Sequence, residues 1–191
     1  MQLPKATEMS HQLVAKRLRK RQVVIDATAG NGHDAAFLAE KVGPDGKLFA
    51  IDVLADAIES TRKRLEEANL LKQATLIEDS HENLATIIPK THHGKVRAIM
   101  FNLGYLPGSD KAVKTHWNTS MAAIRAGLEI LAPGGIMTIC AYPGHPEGAE
   151  EANALERFAT WIDPYDYCAV SYQFLNLKND PPFLVAIEKE K

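Results

Sequence analysis

From Val23 onward, short apolar runs alternate with stretches whose apolar residues recur at helical spacing, and this restricts the chain to an open α/β sheet. Val23-Val24-Ile25 reads as a buried strand reaching Asp26, and His33 to Lys41 as a helix stopped by Gly43-Pro44. Lys47 to Val53 is the next strand, entered through the Pro44-Asp45-Gly46 turn. Asp56 to Ala68 is helical, with Ile58, Leu65 and Ala68 on one stripe. A strand over Ala74 to Asp79, a short helix near Glu82 to Ile88 and a strand over Val96 to Phe101 continue the pattern. A helix over His116 to Leu131, a strand over Ile136 to Ala141 and a helix over Glu147 to Trp161 follow.

The end of the chain differs. Tyr167 to Leu175 and Phe183 to Glu188 read as strands, but the link between them is too short for a parallel crossover, which takes about a dozen residues. The expected fold is therefore Rossmann-like: a doubly wound, mostly parallel seven-stranded sheet with a C-terminal antiparallel hairpin. A helix from about residue 7 to 20, carrying Met9, Leu13, Val14 and Leu18 on one side, precedes the first strand. With no repeat or linker in 191 residues, a single domain over 1–191 is expected.

The net charge of −2 supplies no global positive field, so contacts to nucleic acid would have to be local. No run approaches the roughly 20 apolar residues of a membrane span, and Met1-Gln2-Leu3-Pro4-Lys5 lacks the apolar run of a signal peptide. A cytoplasmic protein is expected, with no membrane contact. Cys140 and Cys168 lie in apolar, strand-like stretches and read as buried small hydrophobes rather than a disulfide. His92-His93 has no further ligands at metal spacing and reads as an exposed loop, so no metal is expected. Oligomeric state stays open, with a homodimer among the options.

Asp26-Ala27-Thr28-Ala29-Gly30-Asn31-Gly32 follows a strand and opens a helix, the place where an α/β sheet holds a nucleotide-like ligand. Gly30, Asn31 and Gly32 let backbone approach such a ligand closely, and Thr28 lies in the same turn. Acids end three successive strands: Asp26, Asp52, which suits a ribose diol, and Asp79, which suits an adenine amino group. Ser80 and His81 follow as backbone donors or a ring face. Each acid taken alone reads equally well as a turn former or helix cap. The third glycine of a phosphate-binding G-x-G-x-x-G is replaced by Ala35, and Asp34 stands in the first helical turn. A carboxylate there repels a pyrophosphate but suits an ammonium and a sulfonium. S-adenosylmethionine therefore fits better than NAD, and an NAD-dependent oxidoreductase is the alternative of a different class.

The order and spacing of Asp26-x-x-x-Gly30-x-Gly32, Val42-Gly43-Pro44-Asp45-Gly46-Lys47-Leu48-Phe49-Ala50-Ile51-Asp52 and Leu131-Ala132-Pro133-Gly134-Gly135 resemble class I methyltransferases. More narrowly, Asp26 to Asp34, Asn102-Leu103-Gly104-Tyr105-Leu106-Pro107-Gly108, Tyr142-Pro143-Gly144-His145 and Asn179-Asp180-Pro181-Pro182 together resemble the MnmM (YtqB) family. Members of that family were long labelled rRNA methylases. The resemblance covers nearly the whole chain. It implies a methyltransferase that uses S-adenosylmethionine on the aminomethyl nitrogen of a 5-aminomethyl-2-thiouridine at the tRNA wobble position, hence a partner in the anticodon region. Spacing alone does not reach tRNA; an rRNA base or another amine remains the alternative.

Asn102-Leu103-Gly104-Tyr105 ends the fourth strand and is similar to the Asn-Pro-Pro-Tyr motif of methyltransferases acting on exocyclic amines. The side-chain carbonyl of Asn102, with a backbone carbonyl near Leu103 and Gly104, can accept the amine's hydrogens and aim its lone pair. Tyr105 offers a ring for a base to stack on. Asn102 as a turn former and Tyr105 as a packing aromatic are the simpler readings. Tyr142 and His145 are candidates to receive or relay the amine's proton. Asn179, with Asn176 and Pro181-Pro182, either shapes the acceptor pocket or forms a turn. Five of the six residues from Lys16 to Arg21 are basic, so Arg17 and Arg19 are candidate RNA contacts, as are Lys111 and Lys114. A solvated helix end explains the same run.

Overall fold

The computed structural model describes residues 3–104, 117–144 and 146–191, with 146 and 147 as backbone only. In chain order the elements are α1 (Ala6–Arg17), β1 (Val23–Asp26), α2 (His33–Val42), β2 (Lys47–Asp52), α3 (Ala55–Glu67), β3 (Ala74–Glu78), α4 (Leu84–Ile87), β4 (Val96–Leu103), α5 (Trp117–Ile130), β5 (Leu131–Ala141), α6 (Pro146–Trp161), β6 (Tyr167–Tyr172) and β7 (Phe183–Lys189). The strands form one seven-stranded sheet in the order β3-β2-β1-β4-β5-β7-β6. All pairings are parallel except those of β7, which runs antiparallel to both β5 and β6. The expected mostly parallel sheet with a C-terminal antiparallel hairpin is what forms.

Helices cover both faces, which is why the inner strands are apolar without alternation. Val24, Leu48, Ala98 and Met100 pack with Val14 of α1, Leu38 of α2 and Leu65 of α3. On the other face Ile25, Phe49, Ile99 and Phe101 pack with Leu84 of α4, Ile124 of α5 and Leu155 of α6. The chain leaves β1 toward β2 and β3, then crosses back to β4 on β1's other side. The crevice at the carboxyl ends of β1 and β4 is thus the topological switch point, where such sheets bind ligands.

Three expectations need correction. α1 ends at Arg17, not near residue 20: Leu18 is already extended (φ −82°, ψ 146°) because its side chain is buried in the core, and Arg21 turns the chain with φ 68°. Cys168 is exposed, because β6 is the sheet's edge strand; Cys140, on inner strand β5, is buried. His92-His93 is half-buried, with the His92 ring edge-on to Phe49 at 5.5 Å and His93 Nε2 3.0 Å from the carbonyl of Ile88.

Candidate functional site

A cleft of about 790 Å³ opens at the switch point. The turn after β1 contributes Thr28, Ala29, Gly30 and Asn31, and the start of α2 contributes His33 and Asp34. Asn102 and Gly104 come from the end of β4, and Tyr142 and Gly144 from the loop after β5. α1 closes one side with Thr7, Glu8 and His11, and the β6–β7 link another with Asn179, Asp180 and Pro182.

The glycine turn is held from behind by α3. Thr61 Oγ1 donates to the carbonyl of Gly30 at 3.2 Å, and Arg64 Nε donates to that of Asn31 at 2.6 Å. Gly30 and Gly32 adopt φ of 51° and 76°. A Cβ on Gly32 would meet the Cα of Thr61 at 2.8 Å, so backbone approach by α3, rather than by a ligand, demands glycine here. Gly32 does not line the cleft; Gly30 and Asn31 do.

The three strand-end acids behave differently. Asp26 is fully buried beneath the turn, where Oδ1 accepts the Thr28 N–H at 3.2 Å. Among the described residues its Oδ2 has no partner. Burial, followed by the nearby Asp34 charge, holds its carboxyl well above the usual 3.8. Asp52 accepts the N–H of Gly30 on Oδ2 at 2.9 Å and that of Leu54 on Oδ1 at 3.0 Å. Asp79 Oδ1 accepts from Ser80 N at 2.7 Å and Asn83 Nδ2 at 2.9 Å, while Ser80 caps the following turn by accepting the Glu82 N–H. Each acid thus accepts two hydrogen bonds within the protein, and its carboxylate still keeps lone pairs for a ligand. The His81 ring is buried edge-on to Phe101, its Nε2 without a partner among the described residues. Loss of solvent pushes its pKa down, which favours the neutral ring. Asp52, Asp79, Ser80 and His81 lie outside the cleft's lining, toward β2 and β3.

At the end of β4 the cleft carries a chain of hydrogen bonds. Tyr142 Oη donates to Asn102 Oδ1 at 3.1 Å, and Asn102 Nδ2 donates to Asp34 Oδ2 at 2.5 Å. Asp34 Oδ1 lies 2.5 Å from His11 Nε2. Desolvation pushes the Tyr142 phenol up to about 12, so it is a donor at neutral pH. Leu103 is buried at the strand end, and Gly104 packs on the Tyr142 ring. Asn179 and Asp180 both have positive φ, 65° and 41°, which turns the β6–β7 link onto the cleft's rim. Tyr105, His145, Lys111 and Lys114 lie outside the described residues.

Arg17 and Arg19 are not at the cleft. They stand where α1 leads into β1, at the opposite end of the sheet; Arg17 pairs with Glu188, and Arg19 donates to the carbonyl of Leu18 at 3.0 Å. The sequence did not single out His11, Glu8 or Arg64, and Asp180 entered only as part of a motif. For His11 a local signal existed: Thr7 and His11, one turn apart on α1, share the cleft-facing stripe. Among the described residues no group of three or more His, Cys, Asp or Glu is arranged to hold a metal, and no helix is long and apolar enough to cross a membrane.

A doubly wound seven-stranded sheet with only β7 reversed, and a glycine turn and strand-end asparagine meeting at its switch point, defines a class I methyltransferase. A family model described as "Putative rRNA methylase" matches residues 48–188, and the chain belongs to this family. A tRNA (mnm5s2U34)-methyltransferase of Arabidopsis thaliana, chloroplastic by name, is 35% identical over 97% of this chain and 70% of its own length. A Clostridium thermocellum structure bearing the same family description superposes with a TM-score of 0.94 at 37% identity, over 99% of this chain and 100% of that one. A Streptococcus mutans methyltransferase structure in complex with SAH gives 0.87 at 37% identity, over 98% and 99%.

Proposed function

We propose that the protein transfers a methyl group from S-adenosylmethionine to the aminomethyl nitrogen of 5-aminomethyl-2-thiouridine at the tRNA wobble position, in the cytoplasm. The observation that carries this reading is the orientation of Asn102. Its amide nitrogen is committed to Asp34, and its oxygen, beside the glycine turn, accepts from Tyr142 and keeps a second lone pair to meet an amine. The similarity to a named tRNA methyltransferase supplies the nucleoside.

The lining fits the cofactor. Among its described residues it carries Glu8, Asp34 and Asp180 and no Lys or Arg, which suits a ligand bearing an ammonium and a sulfonium and disfavours a pyrophosphate. Gly30 and Asn31 would border the methionine end, Asp52 the ribose, and Asp79 with Ser80 and His81 the adenine. When bound, S-adenosylmethionine supplies an electrophilic methyl group. Asn102 Oδ1 accepts a hydrogen from the incoming amine, directs its lone pair toward that methyl, and stabilises the positive charge that grows on nitrogen. The acceptor begins as an ammonium and ends as a secondary ammonium, so one proton leaves per turnover before attack. Partial desolvation in the cleft assists that loss.

The test is methyl transfer from labelled S-adenosylmethionine to tRNA carrying the unmethylated aminomethyl-thiouridine, followed by nucleoside mass spectrometry, with rRNA in parallel. Mass gain on the wobble uridine is expected. Transfer to rRNA alone overturns the substrate. Asn102→Ala should lower kcat by about 100- to 1,000-fold, the scale of removing one transition-state hydrogen-bonding group, with cofactor affinity retained. Loss of cofactor affinity alone would overturn the role given to Asn102.

A further inference from the structure

We infer that Asp34 and His11 act as a clamp that fixes which end of the Asn102 amide faces the acceptor, His11 being a positioning residue for methyl transfer. The inference rests on the proposed role of Asn102 as the amine's acceptor. A side-chain amide has two ends of similar size and opposite polarity, and turned by 180° Asn102 would present an N–H donor to an amine that needs an acceptor. Tyr142 does not by itself forbid that state, because a hydroxyl can accept as well as donate. A carboxylate only accepts, so Asp34 binds the NH₂ end of Asn102 and excludes the reversed state.

Asp34 is itself held in place. Its two oxygens are occupied from opposite sides, Oδ2 by Asn102 and Oδ1 by His11 Nε2, each at 2.5 Å. The carboxylate is almost buried, at 8% exposure, and each of its oxygens has a partner within the protein. The His11 ring is fixed in turn by parallel stacking on Phe37, with centroids 4.0 Å apart and planes 5° apart. Facing an acceptor-only group, His11 contributes Nε2–H. Thus α1, which carries His11, reaches Asn102 through two hydrogen bonds by way of Asp34.

His11→Phe keeps a ring over Phe37 and removes the donor, whereas His11→Gln restores a donor near the position of Nε2. With tRNA substrate, His11→Phe should lower kcat about 10-fold with KM for both substrates within about threefold, and His11→Gln should recover most of the loss. Asp34→Asn should cost more, about 100-fold in kcat. With His11 donating to its oxygen, the introduced amide turns its own NH₂ toward Asn102 and reverses the Asn102 amide. Wild-type kcat in His11→Phe, or an Asp34→Asn effect confined to S-adenosylmethionine affinity, overturns the clamp. A second readout needs no RNA: in ¹⁵N-labelled free protein, the side-chain amide protons of Asn102 should shift on His11→Phe and return on His11→Gln. Unmoved resonances overturn the inference even if the substrate proves different. A wild-type enzyme silent on tRNA overturns only the proposed substrate.

Discussion

The backbone N–H of Asn102 donates to Thr28 Oγ1 at 2.7 Å, tying the end of β4 to the glycine turn after β1 across 74 residues of sequence. Through this bond the glycine turn and the strand-end asparagine, the proposed cofactor and acceptor sides of the cleft, share one register. Thr28→Val keeps the shape and leaves a half-buried N–H without its acceptor, a loss of about 1–3 kcal/mol. Small displacements at a reaction centre cost as much as about 100-fold in rate. The variant should therefore lose kcat disproportionately to its fall in melting temperature, measured on the same preparation. Full turnover alongside a lowered melting temperature would reduce Thr28 to a structural role.

Asp26 makes stability depend on pH. Burial raises its folded pKa above the unfolded carboxyl's usual 3.8, so the folded protein binds this proton more tightly than the unfolded chain. The stability linked to that proton is complete below the unfolded value and is lost as pH rises through the raised folded one. Asp26→Asn cannot ionise and escapes the loss. Its melting temperature relative to wild type should therefore climb with pH from the acid side to neutrality. A constant gap between the two proteins would show that Asp26 does not titrate across that range.

The cysteines should react unequally. Cys140 is buried, with its thiol pushed up to about 12 by desolvation and then by the Asp34 charge, while Cys168 is exposed on β6. A thiol reagent on the native protein should label one site fast and the other only on unfolding. Cys168→Ser should abolish the fast phase. Two equal phases would contradict the burial of β5.

Charge reversal at Arg17 and Arg19 should leave the salt dependence of tRNA binding unchanged. Removing two phosphate contacts would flatten the slope of log K against log salt by nearly two units. Arg17 is engaged with Glu188 at the sheet's far end, so no such flattening is expected. A flatter slope would extend the RNA footprint around the molecule.

The sequence determined the layered fold and where the candidate cleft lies in it. Apolar runs such as Val23-Val24-Ile25, set between helical stripes and too short for helices of their own, read as strands covered on both faces. Helical stripes between them force parallel crossovers, and the short stretch after Tyr172 forces the final hairpin. Glycines and acids at strand ends likewise mark the switch point, because local backbone demands are written into residue type. Tertiary structure alone decided what each polar group does. Gly32 is required by the approach of Thr61 from α3, and the Asn102 amide is oriented by Asp34 and Tyr142 from two other parts of the chain. His11 reaches the site only because α1 packs across β5 and β7 and presents that turn to the cleft. The basic run, a candidate RNA contact in the sequence, stands at the wrong end for the cleft because α1 runs away from it into β1. Hydrogen bonds and ion pairs depend on ångström-scale contacts between segments distant in sequence, and no periodicity along one segment encodes those contacts.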